Sequence, residues 1–260
     1  MSSVALAQYR ALSRRSVVNL FRQPAAIVPA LIFPLIFMAL SAAALDRSTD
    51  LPGFPPVDSF LQFLITTTIL QGALFGAVGA GTDMARDIEG GFFERLVASP
   101  VARTSILVGK VTGSAFLGFM QAWLYFGVAT LFGLEVEGGF FAMLLVAVLA
   151  AIVSGGIGAV AIAFGLKTGS SEAVQGSFPL LFTMLFLSSA FFPRNLMEGW
   201  FKSAATINPF SHLIEGARIL VITGIEWPDY FKALSIAAAI LIFGVIAASL
   251  ALRGRLTEGG

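Results

Sequence analysis

Six long stretches of this 260-residue chain carry no charged side chain: residues 23–45, 59–82, 111–134, 138–166, 173–193 and 233–252, of 23, 24, 24, 29, 21 and 20 residues. A helix rises about 1.5 Å per residue, so each stretch reaches across a hydrocarbon core of roughly 30 Å. Barrel strands alternate apolar and polar residues over about ten positions, whereas the run at 142–152 is apolar on every side. With 57% hydrophobic and 12% charged residues and a mean hydropathy of +0.88, the chain lacks the roughly 25% charge of a soluble domain. The reading is an all-α integral membrane protein with six transmembrane helices, the third beginning at residue 105.

An even number of spans places both termini on one side, and basic residues identify that side. The amino end, the second and fourth connections and the tail hold 11 of the 16 Lys and Arg residues, while the opposite side holds nine of the 15 acids. Both termini are therefore expected in the cytoplasm. Residues 1–22 carry Leu6, Tyr9, Leu12, Ser16, Val17 and Leu20 at helical spacing, with Arg10, Arg14 and Arg15 mainly off that stripe. This predicts an amphipathic helix on the inner membrane surface. Ser41 to Ala44 resembles a signal cleavage site, but the apolar run before it is too long for a signal peptide. Pro24, Pro29 and Pro34 predict a kinked or irregular entry to the first span.

The connections are too short to enclose a second core, so residues 1–260 read as a single membrane domain. Gly72 and Gly76, and Gly155, Gly156 and Gly158, suit close helix packing rather than a dimer seam. The inner connection at 83–100 places Phe92, Phe93, Leu96 and Val97 on one face of a two-turn helix and Glu94 and Arg95 on the other. Asp83, Asp87, Glu89 and Glu94 outnumber Arg86 and Arg95 there, which favours a protein partner over anionic lipid. The outer connection at 194–224 reads as two half-length helices broken at Asn208-Pro209, forming a re-entrant hairpin. Its first helix has an apolar stripe of Leu196, Trp200, Ala204 and Ile207 with a Glu198–Lys202 pair; its second has Leu213, Ile214, Ala217, Leu220 and Val221, with Glu215 three residues before Arg218. Trp200, Trp227 and Tyr230 are placed as interface anchors, and His212 as a polar cap near the break.

Much chemistry is excluded. The chain has no cysteine and one histidine, so thiolate sites, disulfides and histidine metal clusters are ruled out. A net charge of +1 gives nucleic acid no general attraction. Uncharged spans weaken an ion-coupled carrier mechanism. Gly109-Lys110 is the one Gly-Lys pair, but Val111 follows it and Thr104 stands where the first glycine of a nucleotide-binding loop belongs. The chain is therefore no enzyme, and uphill transport needs another subunit to supply energy. Uncharged polar residues within the spans, among them Thr67, Gln71, Gln121 and Ser188, either bond between helices or line a path for an amphiphilic cargo.

The run Asp87-x-Glu89-x-Gly91-x-x-Glu94-Arg95-Leu96-x-Ala98-Ser99-Pro100-x-x-Arg103-x-x-x-Leu107-x-Gly109-Lys110 resembles the signature of type-two ATP-binding-cassette exporter permeases. The segment from Ser189 through Phe191-Phe192-Pro193, followed by Trp200, Asn208-Pro209 and Arg218, is similar to that family's outer hairpin. Phe92-Phe93 is bulkier than the small or aliphatic residues expected at that point.

The resemblance implies a permease dimer, homomeric or with a related chain, in a bacterial inner membrane, each copy docking a cytoplasmic ATPase that binds ATP and Mg. Asp87, Glu89, Phe92, Phe93, Glu94, Arg95 and Leu96 would couple to that ATPase, with Arg10, Arg14 and Arg15 as an amino-terminal docking surface. Phe191, Phe192, Pro193, Asn208, Pro209, Glu215 and Arg218 would form the outer gate region. The drug-resistance branch, typified by daunorubicin efflux permeases, implies a hydrophobic or amphiphilic cargo. A lipid-linked polysaccharide exporter shares the fold; an ion-coupled carrier and a non-transporting scaffold are the alternatives of another class.

Overall fold

A computed structural model describes residues 3–258, and the described residues form helices joined by turns. In chain order these are α1 (Ser3–Arg22), α2 (Pro24–Leu45), α3 (Phe60–Glu89), α4 (Phe92–Ala98), α5 (Arg103–Leu131), α6 (Gly139–Thr168), α7 (Ser171–Gly176), α8 (Phe178–Phe186), α9 (Gly199–Ile207), α10 (Pro209–Ile222) and α11 (Trp227–Glu258). Five of them, α2, α3, α5, α6 and α11, are long and apolar enough to cross a membrane.

The fifth uncharged stretch is the exception to the expected spans. It folds as α7 and α8, separated at Ser177, and then turns from Leu187. Pro179 has no N–H to give to the carbonyl of residue 175, and Gly176 favours the break. The helical part, residues 171–186, is about 24 Å long, short of a full crossing.

Other boundaries move outward. α3 continues past residue 82 to Glu89, so Asp83, Arg86, Asp87 and Glu89 stand on its last turns, and only Phe92–Ala98 form the short helix of the inner connection. Gly91, at φ +66°, makes the turn between them. α11 begins at Trp227, which draws Tyr230 into the core, where its hydroxyl donates to the Leu145 carbonyl at 3.3 Å; Tyr230 is not an interface anchor. Gln23 is the non-helical corner between α1 and α2, and Pro24 starts α2 where no N–H is needed. Pro29 and Pro34 lie inside a continuous α2.

α3 and α6 form the spine, with α5 against both, α2 on the outer side of α3 and α11 on the outer side of α6. Glycine makes the closest approach: Gly244 of α11 lies so near the Gly156 carbonyl that a methyl group there would sit at 2.4 Å. Gly72, Gly76, Gly155, Gly156 and Gly158 likewise face neighbouring elements of the same chain.

Cross-links between elements orient the bundle. Gln23 accepts from Arg86 at 2.9 Å, and Glu89 holds the start of α7. Arg255, near the end of α11, donates to the Leu166 carbonyl at 2.9 Å and faces the Phe93 ring. The end of α11 therefore returns to the α4 end of the bundle, beside α1. The opposite, hairpin end holds α9, α10 and the main aromatic core of Phe60, Phe63, Tyr125 and Phe126.

Candidate functional site

At the α4 end, α1 does not simply float on lipid. Its stripe packs on α5, with Leu12 against Gly109 and Ser16 against Gly113. Gln8 exchanges hydrogen bonds of 3.0 Å with Pro100 and Ala102, and Tyr9 bonds Thr104 at 2.8 Å. The joint between α4 and α5 is thereby fixed to α1.

Beneath α4 lies a charged knot that sequence reasoning missed. Lys110 of α5, only 5% exposed, pairs with Asp83 and with Asp87, the latter at 2.6 Å. Arg15 of α1 donates twice to Asp87, at 3.0 and 3.3 Å, and stacks over Phe92 with its guanidinium carbon 4.0 Å from the ring centre. Asn19 donates to Asp83 at 2.9 Å. Two cations and two carboxylates balance, with Lys110 enclosed and Arg15 partly solvated. The i,i+4 spacing of Asp83 and Asp87 was legible; their partners on other helices were not.

The predicted coupling residues divide accordingly. Phe93 is buried, Phe92 and Leu96 are half-buried, and Asp87 is inside the knot. Glu89 accepts from the Ser171 backbone N–H at 2.6 Å and hydroxyl at 3.1 Å, so it braces α7. Glu94 and Arg95 point outward, as do Arg10 and Arg14, whereas Arg15 turns in.

At the hairpin end, Arg218 is the organising group. Its guanidinium donates to the carbonyls of Phe63, Ser189 and Ala190 at 3.1, 3.1 and 3.0 Å and to Thr67 at 3.3 Å, and lies 3.5 Å from the centre of the Phe63 ring. Thr67 itself donates to Ala190 at 2.7 Å. Asn208 donates to the Met184 and Leu187 carbonyls and caps α10 at Phe210 N–H. In the non-helical tail of the fifth stretch, the Leu187, Ser189 and Ala190 carbonyls are satisfied by these two residues. Glu215 pairs with Arg194, not with Arg218, and among the described residues Glu198 and Lys202 form no ion pair.

On α9, Trp200 and Ile207 of the apolar stripe are 74% and 83% exposed, and Ala205 faces inward. The apolar face of α10 is buried throughout, and His212 bonds the Thr206 carbonyl at 3.0 Å beside the break. Phe191 and Phe192 are partly or well exposed, Pro193 is buried, and Pro209 opens α10. Ser188 is buried and donates to Leu185. Gln71 and Gln121 are buried, each with one polar atom unpartnered.

Between the two ends, Phe33 and Phe37 of α2, Phe75 of α3, Phe178, Phe182 and Phe186 of α8, and Phe191 form a continuous chain of ring contacts 4.6 to 6.4 Å apart. This track lies along a face that the single chain leaves partly open, with Phe33 and Phe186 exposed.

Long apolar helices, a braced α4 end and a buried-arginine hairpin define a polytopic helical membrane protein. A family model described as ABC-2 type transporter matches residues 7–222, and the chain belongs to that family of ABC transporter permeases. It is 29% identical to a daunorubicin resistance ABC transporter permease of Streptomyces coeruleorubidus, a match spanning 74% of this chain and 65% of that relative, just under two thirds of its length. A putative transport permease of Pyropia yezoensis is 26% identical over 94% of this chain and 90% of its own. A probable doxorubicin resistance permease of Mycobacterium tuberculosis is 23% identical over 74% and 68%. Permeases of this family work with an ATPase partner.

Proposed function

We propose that this chain is the membrane-spanning subunit of an ATP-driven exporter, moving a hydrophobic or amphiphilic cargo out of the cytoplasm or inner leaflet of a bacterial inner membrane. In this reading the chain crosses six times, α7–α8 together with the turn that follows them to residue 193 serving as the fifth pass and α9–α10 as a re-entrant outer hairpin, with both termini in the cytoplasm. Two copies pair, and each docks one ATPase at its α4 end.

The observation that carries the reading is the bracing of α4. Its outer face offers Glu94 and Arg95, while its inner face is tied through Arg15, Asp87 and Lys110 to α1, α3 and α5. A push on α4 is thus delivered to three helices at once. ATP and Mg belong to the partner.

The open aromatic track supports an apolar cargo over a lipid-linked glycan. It consists of phenylalanines, without the hydroxyl or indole N–H groups that would bond sugar hydroxyls. Co-purification of a stoichiometric ATPase, with nucleotide-dependent accumulation of a drug or lipid in inverted vesicles, is the expected result. Ion-dependent transport by the purified chain alone would reject the reading.

A further inference from the structure

α1 holds four arginines and no acid. Arg15 turns to Asp87, but Arg10, Arg14 and Arg22 are exposed on the side of the helix away from α5, and among the described residues none of the three has an ion pair. A shallow groove runs along this side between Arg14 and Arg22, floored by Ala11 and Val18 and flanked by Arg15 and Asn19.

The spacing gathers the charge of this groove around one point. On a helix surface the neighbours of a residue lie three and four positions away. For Val18 these are Arg14, Arg15, Phe21 and Arg22, so three guanidiniums rise around one short apolar side chain. Arg15 uses two of its five N–H groups on Asp87 and is 36% exposed, which leaves the rest of its fork open to the groove. The knot is already neutral, with Lys110 and Arg15 set against Asp83 and Asp87, so the charges of Arg14 and Arg22 are uncompensated.

The fourth neighbour indicates what carries the matching anion. Phe21 is 61% exposed, and Arg22 stands two residues before Pro24, where the first long apolar helix begins. Arginines and an uncovered ring at the start of a membrane helix face phosphates and acyl chains together. The outward face of α4, by contrast, offers one charge of each sign, Glu94 and Arg95, which suits a protein surface better than a lipid one.

We propose that the groove between Arg14 and Arg22 binds the phosphate of an anionic glycerophospholipid of the inner leaflet, with the acyl chains beside Phe21. The phosphate sits over Val18 and takes charge-assisted hydrogen bonds from Arg14, Arg22 and the open edge of Arg15. Because Arg15 also holds Asp87 and stacks on Phe92, the headgroup is joined to α3 and α4, and bound lipid clamps α1 to the end of the bundle that carries α4. The assignment rests on the inner-leaflet placement of α1 proposed above, but requires neither cargo nor ATPase.

The test is native mass spectrometry of the full chain, stripped of lipid in detergent and offered equal amounts of phosphatidylglycerol and phosphatidylcholine. The first lipid bound should be phosphatidylglycerol by about fivefold or more, the effect of one basic side chain at an anionic surface. Val18 lines an open groove, so Val18→Glu should keep the wild-type unfolding midpoint while placing a carboxylate among the guanidiniums, and it should bring the two lipids to parity. Arg14→Gln with Arg22→Gln should do the same. Arg253→Gln removes an exposed charge near the end of α11, at the same end of the molecule, and should leave the preference unchanged.

Equal binding of the two lipids by the wild type, or an undiminished preference in Val18→Glu, would overturn the proposal. So would displacement of phosphatidylglycerol by an equal concentration of glycerol phosphate, which would make the ligand a free phosphate. Displacement by one equivalent of the co-purifying ATPase would overturn it too, making the groove a protein-docking surface. The first two results leave ATPase co-purification untouched, so this assignment and the exporter reading can fail separately.

Discussion

Arg15 and Asp87 join the amino-terminal helix to the last turn of α3 through two hydrogen bonds, with Lys110 on the far side of the same carboxylate. The pair is asymmetric. Asp87 is 13% exposed and serves two cations, whereas Arg15 is 36% exposed and serves one acid.

Asp87→Ala should therefore destabilise far more than Arg15→Ala. Loss of Asp87 leaves a nearly enclosed Lys110 with Asp83 alone, at a cost of about 3 kcal/mol or more. Loss of Arg15 removes a partly solvated contact worth about 1 kcal/mol or less. Apparent unfolding midpoints of the two variants in one detergent, followed by tryptophan fluorescence, give the ranking; equal midpoints would contradict it.

Glu94 projects from α4 without an internal partner among the described residues, so reversing its charge should spare the fold. For Glu94→Arg the expected outcome is normal insertion and midpoint, with ATPase stimulation and export reduced severalfold or more. Normal coupling in reconstituted vesicles would remove Glu94 from the docking surface.

Arg218→Ala should free the turn after α8. The Ser189 carbonyl loses its donor, while Ala190 keeps the Thr67 hydroxyl and Phe63 its place in the α3 ladder; a buried polar group left unpaired costs about 1–3 kcal/mol. Amide exchange at Ser189 to Phe192 should accelerate, and Arg218→Lys should rescue only in part, because an ammonium cannot reproduce the planar fork. Unchanged exchange in the alanine variant would mean that Asn208 alone holds the turn.

The break between α7 and α8 should yield to Pro179→Ala combined with Gly176→Ala. The added N–H and the better helix propensity favour one helix over residues 171–186, since nothing lies within 4 Å of a methyl group at Gly176. Exchange at residues 176–180 should slow at least tenfold. Exchange no slower than in the wild type would place the cause of the break in tertiary packing.

Much of this arrangement was legible before any coordinates. Pattern alone located the five long apolar helices but not the break in the fifth stretch, because an apolar run either spans a bilayer or has no stable place in water. The Asn208-Pro209 break, the buried face of α10 and the outward Glu94 and Arg95 followed from helical spacing. Sequence reading erred where a residue's role depended on another element. Local spacing suggested Glu215–Arg218, but Arg218 is drawn to carbonyls that the ending of α8 leaves unpaired, and Glu215 takes Arg194 instead.

The amino-acid sequence by itself determined that this chain is built of long apolar helices with its charge gathered in the connections, since hydrophobic length and periodicity are properties of a single segment. Tertiary structure alone decided which charges meet and where the fifth helix stops. Such facts depend on distances between segments far apart in the chain, and those are fixed by packing rather than by local preference.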